Sequence, residues 1–466
     1  MIKNVYMRSE NEILKEIKIK EKRLNLYSFK ILGVAVWRLV RFPVRVNKIN
    51  KEIGFTNRTT KVRIPFREVL FNYVTSFFQF IGIILRRKKY KYLVLAFPRL
   101  SQQDEGYFDK FTDPLIAQSN LKSNTLVLQR NLSGKQFSPR YNEDADYKIS
   151  DFIDYTSKLI GVLIAPVIYI IYGKKIHKLV KDASMYFSLS KKIRLIISYK
   201  IGEFLIHYFF SSLMLKAIGA RQIFVVDRIV FLPFIRAAKV KNIEVLELQH
   251  GITHSETVLY TGDYQPEIDP DIFLNFGVKW IGEQFSIPIK KQVNIGWAYN
   301  SWLLVKADIE VNQKTVLMVS SPAITDKILK TTLELAEQYS TYSFSIRLHP
   351  QEALSSAQQK QLHNRKNIVL DNKNIDSLIS VLKHEVIIGE NSSVVYEALS
   401  LGKKVGKIMF NGLDSKKKLD SKFEGLKYLY GIKDFSFFVS NASKKNISSS
   451  GIYDTFDKKK FNKLLK

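Results

Sequence analysis

The sequence predicts a two-domain α/β protein built on parallel sheets, preceded by a basic extension. Three observations carry that prediction. Short apolar runs alternate with helix-length segments along most of the chain, the pattern of parallel strands covered on both faces. Three of these runs stop at polar tips: Gln249-His250-Gly251, Leu348-His349-Pro350 and Gly389-Glu390-Asn391-Ser392-Ser393. A chain of 466 residues is also too long for one compact α/β core, so two principal domains follow.

Composition narrows the class. Hydrophobic residues make up 46% of the chain, enough for sizeable cores. Lys plus Arg number 73 against 43 Asp plus Glu, a formal charge of +30. Such a field attracts polyanions, nucleotides and anionic lipid surfaces, although a solvated lysine-rich surface gives the same tally. The chain has no cysteine, which excludes disulfides, thiolate catalysis and cysteine-ligated metals. It has no HExxH pattern and no glycine-rich Lys-Ser loop. Gly161, Gly219 and Gly389 form no dinucleotide fingerprint, which argues against an NAD enzyme. No metal and no cofactor is expected. Basic residues are spread along the chain with no compact recognition module, so nucleic acid is not an expected partner.

The elements follow in order. Residues 1–88 form the basic, aromatic extension, with helices expected at 11–22 and 66–85 and a short strand or loop over 44–63. The start, Met1-Ile2-Lys3-Asn4, runs into charged residues without an apolar leader core, so a cytoplasmic location is expected. A first domain over 89–300 carries strands at 91–97, 125–128, 222–226, 243–248 and 272–275. Within it, 152–215 is an aromatic helical insertion, and a short helix is expected over 233–239. Its stretch LIGVLIAPVIYIIY (159–172) is shorter than the roughly 20 apolar residues of a membrane span. Pro166 interrupts it and Lys158, Lys174 and Lys175 flank it, so it reads as a buried or interfacial helix. With 69–85, which ends in Arg86-Arg87-Lys88-Lys89, it would seat the protein peripherally on an anionic inner membrane face. A crossover near 294–314 leads to a second domain over 301–466. Strands are expected there at 315–319, 342–348, 367–370, 385–388 and 405–409, and helices at 325–339, 375–383 and 393–401. Gly402 stands at the stop position of the last helix, and 428–438 reads as a closing helix or loop.

Chemistry concentrates at the strand ends, where open α/β sheets place their ligands. Ser392 and Ser393 lie between a strand and a helix, so their hydroxyls and the first helix amides can hold a phosphate. Either serine serves equally as an ordinary N-cap. Glu397, one turn further on the same face, can accept hydrogen bonds from a ribose or base. Arg347 and His349 point the same way if their strand continues that far, and both can address phosphate oxygens, although a strand-end histidine is often structural. His250 is the candidate base or electrostatic helper, with Glu247 before it and His254, Glu256 and Asp263 after it. Asp227 and Arg99 are further strand-tip candidates.

Taken together, the motifs resemble those of bacterial capsule and surface-polysaccharide glycosyltransferases. Glu247-Leu248-Gln249-His250-Gly251 is similar to the His-Gly signature of that superfamily, which includes the glycerophosphotransferases of teichoic acid synthesis. Arg347-Leu348-His349-Pro350 resembles the His-Pro motif of sialyl- and polysialyltransferases that use CMP-activated sugars. Ser392-Ser393 resembles the serine pair that holds donor phosphate. The resemblance covers residues 90–412. It departs at Gln351-Glu352, where relatives often carry Arg or Lys, and Glu397 is the nearest acidic residue after the serines.

The resemblance implies a GT-B fold of two facing Rossmann-like domains, working without catalytic metal. It implies a nucleotide-sugar donor, CMP-linked by slight preference, held by the second half through Arg347, His349, Ser392, Ser393 and Glu397. It implies a glycan or lipid-linked glycan acceptor near His250, with Glu247 and Asp227 as further catalytic candidates. The competing readings are a non-catalytic membrane- or polyanion-binding protein, and a glycerophosphotransferase or sugar-nucleotide epimerase of the same fold.

Overall fold

Seven strands, most of them runs rich in Val, Leu, Ile and Phe that are too apolar to face water on either side, pair side by side into the first sheet. In chain order they are β1 (Tyr92–Ala96), β2 (Thr125–Gln129), β3 (Asp146–Ile149), β4 (Gln222–Val225), β5 (Glu244–Leu248), β6 (Ile272–Asn275) and β7 (Gln292–Asn294). Every pairing is parallel, and the order is β3-β2-β1-β4-β5-β6-β7. The strand order therefore reverses between β1 and β4, the kind of switch point at which loops part to admit a ligand. The computed structural model describes residues 10–466 except 54–64, 87, 98–99, 104–105, 131–137, 141–143, 188, 190–191, 254–259, 283–284, 307–308, 323, 351, 373–374, 391, 411–420 and 442–450.

The second sheet repeats the plan with β8 (Asn312–Val319), β9 (Ser343–Arg347), β10 (Ile368–Leu370), β11 (His384–Gly389), β12 (Lys404–Ile408) and β13 (Leu426–Leu429). It too is wholly parallel, in the order β10-β9-β8-β11-β12-β13, with its switch point between β8 and β11. Two parallel sheets of this order make the expected GT-B-type α/β fold. Two strands of the first sheet had not been expected: β7 is short and β3 is largely polar, so neither stands out as an apolar run. The closing segment is also corrected, because Leu426–Leu429 completes the second sheet as an edge strand before a helix at Asp434–Asn441.

Helices cover the sheets unequally. We number those used here α1 (Glu10–Arg23), α2 (Val36–Ile53), α3 (Phe66–Arg86), α4 (Asp113–Gln118), α5 (Asp151–Ser184), α6 (Ile193–Ile218) and α7 (Leu232–Val240). The expectation of strand or loop over 44–63 fails for 44–53, which belong to α2; 54–63 lie outside the described residues. The β-branched residues suggested strand, but Trp37, Val40 and Val44 follow helical spacing and are buried against α5 and α6. Tertiary burial thus overrides local propensity. The pair α5–α6 is tightly seated through glycine. A Cβ on Gly161 would lie 2.7 Å from the Glu203 amide nitrogen, and one on Gly202 would lie 3.0 Å from the Gly161 carbonyl oxygen.

The two halves are joined three ways. Helix α8 (Ala298–Lys306) leads from one sheet to the other. One hydrophobic core runs through both halves, from Val94, Leu248 and Phe276 to Leu317, Tyr396 and Val405. The C-terminal tail then returns to the first sheet, where Phe461 packs on Phe224 and the Lys466 amide donates to the Gln222 side chain at 3.0 Å.

A Gly161→Ala variant should melt several degrees lower. The added methyl forces two rigid backbones apart, at a cost of about 1–3 kcal/mol, and a thermal unfolding curve measures it.

Candidate active site

In the first half, β5 carries His250 to the C-terminal edge of the sheet. The buried Gln249 pins the turn, since its Nε2 donates to the Gly251 carbonyl at 2.9 Å and its Oε1 accepts the Phe276 amide at 2.9 Å. Gly251 has φ +90°, a conformation that favours glycine and lets the chain turn tightly after β5. The half-buried His250 ring lies among Phe97, Phe111 and Tyr260, at centroid distances of 5.1, 6.3 and 5.8 Å. The Tyr260 hydroxyl accepts the His250 amide at 3.2 Å and lies 2.9 Å from Nδ1. Burial, reinforced by Glu247, holds the Tyr260 phenol well above its usual pKa and so protonated. With one lone pair given to the amide, the hydroxyl has its proton to offer Nδ1. That arrangement leaves the ring proton on Nε2, which then acts as a donor. The opposite arrangement, Nδ1–H to the hydroxyl, leaves Nε2 free to take a proton.

Beneath His250 lies a buried ion network. Arg228 donates to Glu247 Oε2 through Nε at 2.6 Å, and its Nη1 reaches Ser286 Oγ at 2.8 Å and Asp269 at 3.3 Å. Asp269 is also paired with Arg38 of α2. Burial pushes the Glu247 carboxyl up to about 7, against the pull of Arg228. Asp227 is half-buried, and its Oδ1 accepts the Ile229 amide at 2.9 Å, capping the turn after β4.

Lys110 spans the two halves. Its ammonium lies 3.3 Å from Glu397 Oε1 and 5.5 Å from the Trp297 ring centroid. The loop that carries it is held from both sides. The Asp109 carboxylate accepts the Phe111 amide at 2.9 Å and the Thr112 hydroxyl at 2.8 Å, and Arg140 grips both oxygens of Asp113 at 2.7 Å. Burial, with Asp113 beside it, pushes the Asp109 carboxyl up to about 7. Because Phe111 touches His250 and the adjacent Lys110 touches Glu397, residues from both halves come together here.

In the second half, β9 and β11 flank β8, so His349 and the Ser392-Ser393 turn end strands two spacings apart, about 10 Å. Ser392 caps helix α9 (Ser393–Ser400) by accepting the Val394 amide at 3.3 Å, so the N-cap reading is realised. Glu397 is buried in that helix, and its Oε2 has no hydrogen-bond partner among the described residues. The buried Glu352 accepts the His349 amide and the Ser320 hydroxyl, and so braces the ends of β8 and β9 together. Arg347 is committed beneath them. It donates to Asp371 and to Ile375 O, each at 2.5 Å, and to Ser380 Oγ at 2.9 Å. A phosphate role would require it to give these up.

Arg99, His254 and Glu256 lie outside the described residues, and Asp263 is exposed. Sequence reading missed Tyr260, Lys110 and Arg228. None lies in a motif, and only Arg228, directly after Asp227 at a strand end, carried a positional signal.

Two outcomes test this geometry. Tyr260→Phe strips the acceptor from the His250 amide and should cost about 1–3 kcal/mol of stability, read from denaturant unfolding. Glu247 has its pKa raised from 4.5 to about 7 in the folded state. The folded protein therefore holds a proton that the unfolded chain releases over that window. This contribution is complete below pH 4.5 and falls away as pH rises to 7. Glu247→Gln should flatten that part of a stability-against-pH profile, on a lower overall stability.

Against known proteins, no family model matches the chain and no curated protein matches it. Solved structures give distant likenesses. The UDP-GlcNAc 2-epimerase of Methanocaldococcus jannaschii is 12% identical, with a TM-score of 0.48 over 80% of this chain and 98% of that one. The wall teichoic acid polymerase TagF is 11% identical, with a TM-score of 0.44 over 85% and 97%. MurG of Acinetobacter baumannii is 10% identical, with a TM-score of 0.42 over 81% and 99%. Likenesses this distant say nothing about which residues of this chain do chemistry.

Proposed function

We propose that this chain is a metal-independent glycosyltransferase, moving a sugar from a nucleotide-activated donor, CMP-linked by slight preference, to a bacterial surface-glycan acceptor. The observation that carries the reading is the meeting of Phe111 with His250 and of Lys110 with Glu397. One loop thus links a proton-transfer candidate of the first half to Glu397 of the second, whose buried Oε2 has no hydrogen-bond partner among the described residues, and this supports the reading.

In this reading Ser392, Ser393 and His349 hold the donor phosphate, and Glu397 Oε2 accepts a hydroxyl of the nucleotide. Arg347 supports the strand end from below. The acceptor hydroxyl attacks the anomeric carbon while the bond to the phosphate oxygen breaks. The leaving nucleotide keeps that oxygen and the electron pair. The acceptor proton passes to His250 Nε2 in the arrangement whose own ring proton sits on Nδ1 and points to the Tyr260 hydroxyl, with Asp227 and Glu247 as the carboxylates behind it. His349, the serine hydroxyls and the amides of α9 meet the charge that develops on the phosphate.

The test is thermal stabilisation by CMP, CDP, UDP, GDP and dTDP, repeated with His349→Ala and Ser393→Ala. One nucleotide should stabilise the protein, and each variant should weaken its affinity roughly ten-fold, the loss of one charge-assisted hydrogen bond. Unchanged affinity in both variants overturns the donor site. Interconversion of a UDP-sugar without any acceptor would select the epimerase reading instead.

A further inference from the structure

Among the described residues, three helices are long and apolar enough, by length and composition, to cross a membrane: α3, α5 and α6. The packing of α5 and α6 gives these two a different task. The first turn of α5 enters the first-sheet core, where Phe152 and Ile153 join Leu95 and Val225. Its last turns enter a second core with Ile13 and Trp37 of the N-terminal helices, through Ile176, Leu179 and Ala183. Helix α6 makes the same two attachments in reverse, with Ile197 and Ile201 in the second core and Met214 and Ile218 in the first. Leu232 and Ile268 tie that second core to the first half. A helix fastened near both ends to one folded body lies along its surface and does not thread a bilayer.

The outward face of this layer is apolar. Phe71 and Phe78 of α3 are 64% and 66% exposed, Leu163 and Ile170 of α5 are 67% and 81% exposed, and Phe209 of α6 is 55% exposed. On α5 the exposed Leu159, Val162, Leu163, Val167, Ile170 and Ile171 recur at helical spacing on one side, while Ser157, Gly161, Ala165 and Ile168 are buried on the other. An apolar surface of this extent, built from three helices, marks an interaction face rather than scattered exposure. Its borders are cationic. Arg86 ends α3 and Lys88 and Lys89 follow it, and Lys174, Lys175, Lys178 and Lys181 follow the exposed stretch of α5. Residues 151–218 hold ten Lys or Arg against four Asp or Glu.

We propose that the outward face of α3, α5 and α6 docks on an anionic lipid bilayer, lying within the headgroup layer without spanning it. Apolar side chains enter the acyl boundary while the bordering lysines and arginines meet lipid phosphates. That pairing of apolar stripe and basic rim is what an interfacial helix needs. The proposal is independent of the donor site.

The test is co-sedimentation of the full chain with vesicles of phosphatidylcholine alone, or with one third phosphatidylglycerol. Binding should require the anionic lipid, weaken as sodium chloride is raised and be reversed by alkaline carbonate. Ile170→Asp and Phe78→Asp, made separately so that one folding failure cannot decide the matter, should each weaken partitioning roughly ten-fold or more. Phe437→Asp, at a 73% exposed position on the helix Asp434–Asn441 of the second half, should leave it unchanged. A wild-type chain that ignores anionic vesicles overturns the proposal, as does equal loss in the Phe437 variant. Carbonate-resistant insertion overturns the surface geometry. Self-association lost in Ile170→Asp, without vesicle binding, assigns the face to a second copy and overturns the lipid partner.

Discussion

Burying a guanidinium costs several kcal/mol unless carboxylates meet it, and the first half is organised around meeting that of Arg228. The side chain follows β4, yet its partners come from β5 (Glu247), from Asp269 and from Ser286. Asp269 in turn accepts the Gln265 amide and pairs with Arg38 of α2. One network therefore fixes two strand ends, the segment near 265–269 and the N-terminal extension relative to one another. The neighbouring Arg41 continues it by pairing with the buried Glu21 of α1. Tyr260, whose ring lies over Arg228, stands between this charged floor and His250. The imidazole is thus oriented by a rigid base and not by its own short turn. That is the condition a site needs to hold its geometry to fractions of an ångström.

The same logic joins the halves. Lys110 gains its position from Asp109, Asp113 and Arg140, then crosses to Glu397. Among the described residues, Glu397 Oε2 has no hydrogen-bond partner, at a depth where a lost hydrogen bond is costly. The junction is continuous apolar packing around that polar point, with Trp280 against Tyr396 and Trp297 against Tyr453. The returning tail fits because Gly277 and Gly296 have no side chain. A Cβ at either would lie within about 2.2 Å of a tail carbonyl oxygen. Closure of the two halves is therefore written in backbone contacts as much as in side chains.

The helical layer shows how one apolar run serves two surroundings. Small residues on one side of α5 let α6 approach, and larger ones on the other side stay outside. A stripe apolar on both sides is hard to read as amphipathic from sequence, because the period of 3.6 residues carries no contrast.

The sequence by itself determined the two parallel sheets, since runs such as Leu93-Val94-Leu95 and Val386-Ile387-Ile388 are too apolar for any exposed face. It also located the strand ends at His250, His349 and Ser392, because an apolar run that stops at a polar step marks an edge. It could not say that Val44 belongs to a helix, that 426–429 adds a strand, or that Tyr260 and Lys110 matter. Those outcomes depend on partners far away in sequence: α5 and α6 for Val44, β12 for 426–429, His250 for Tyr260 and Glu397 for Lys110. Glu247 shows the division most plainly. Its place before the His-Gly step was visible in the chain, but its raised acidity and its bond to Arg228 come from burial among charges that only the folded protein assembles.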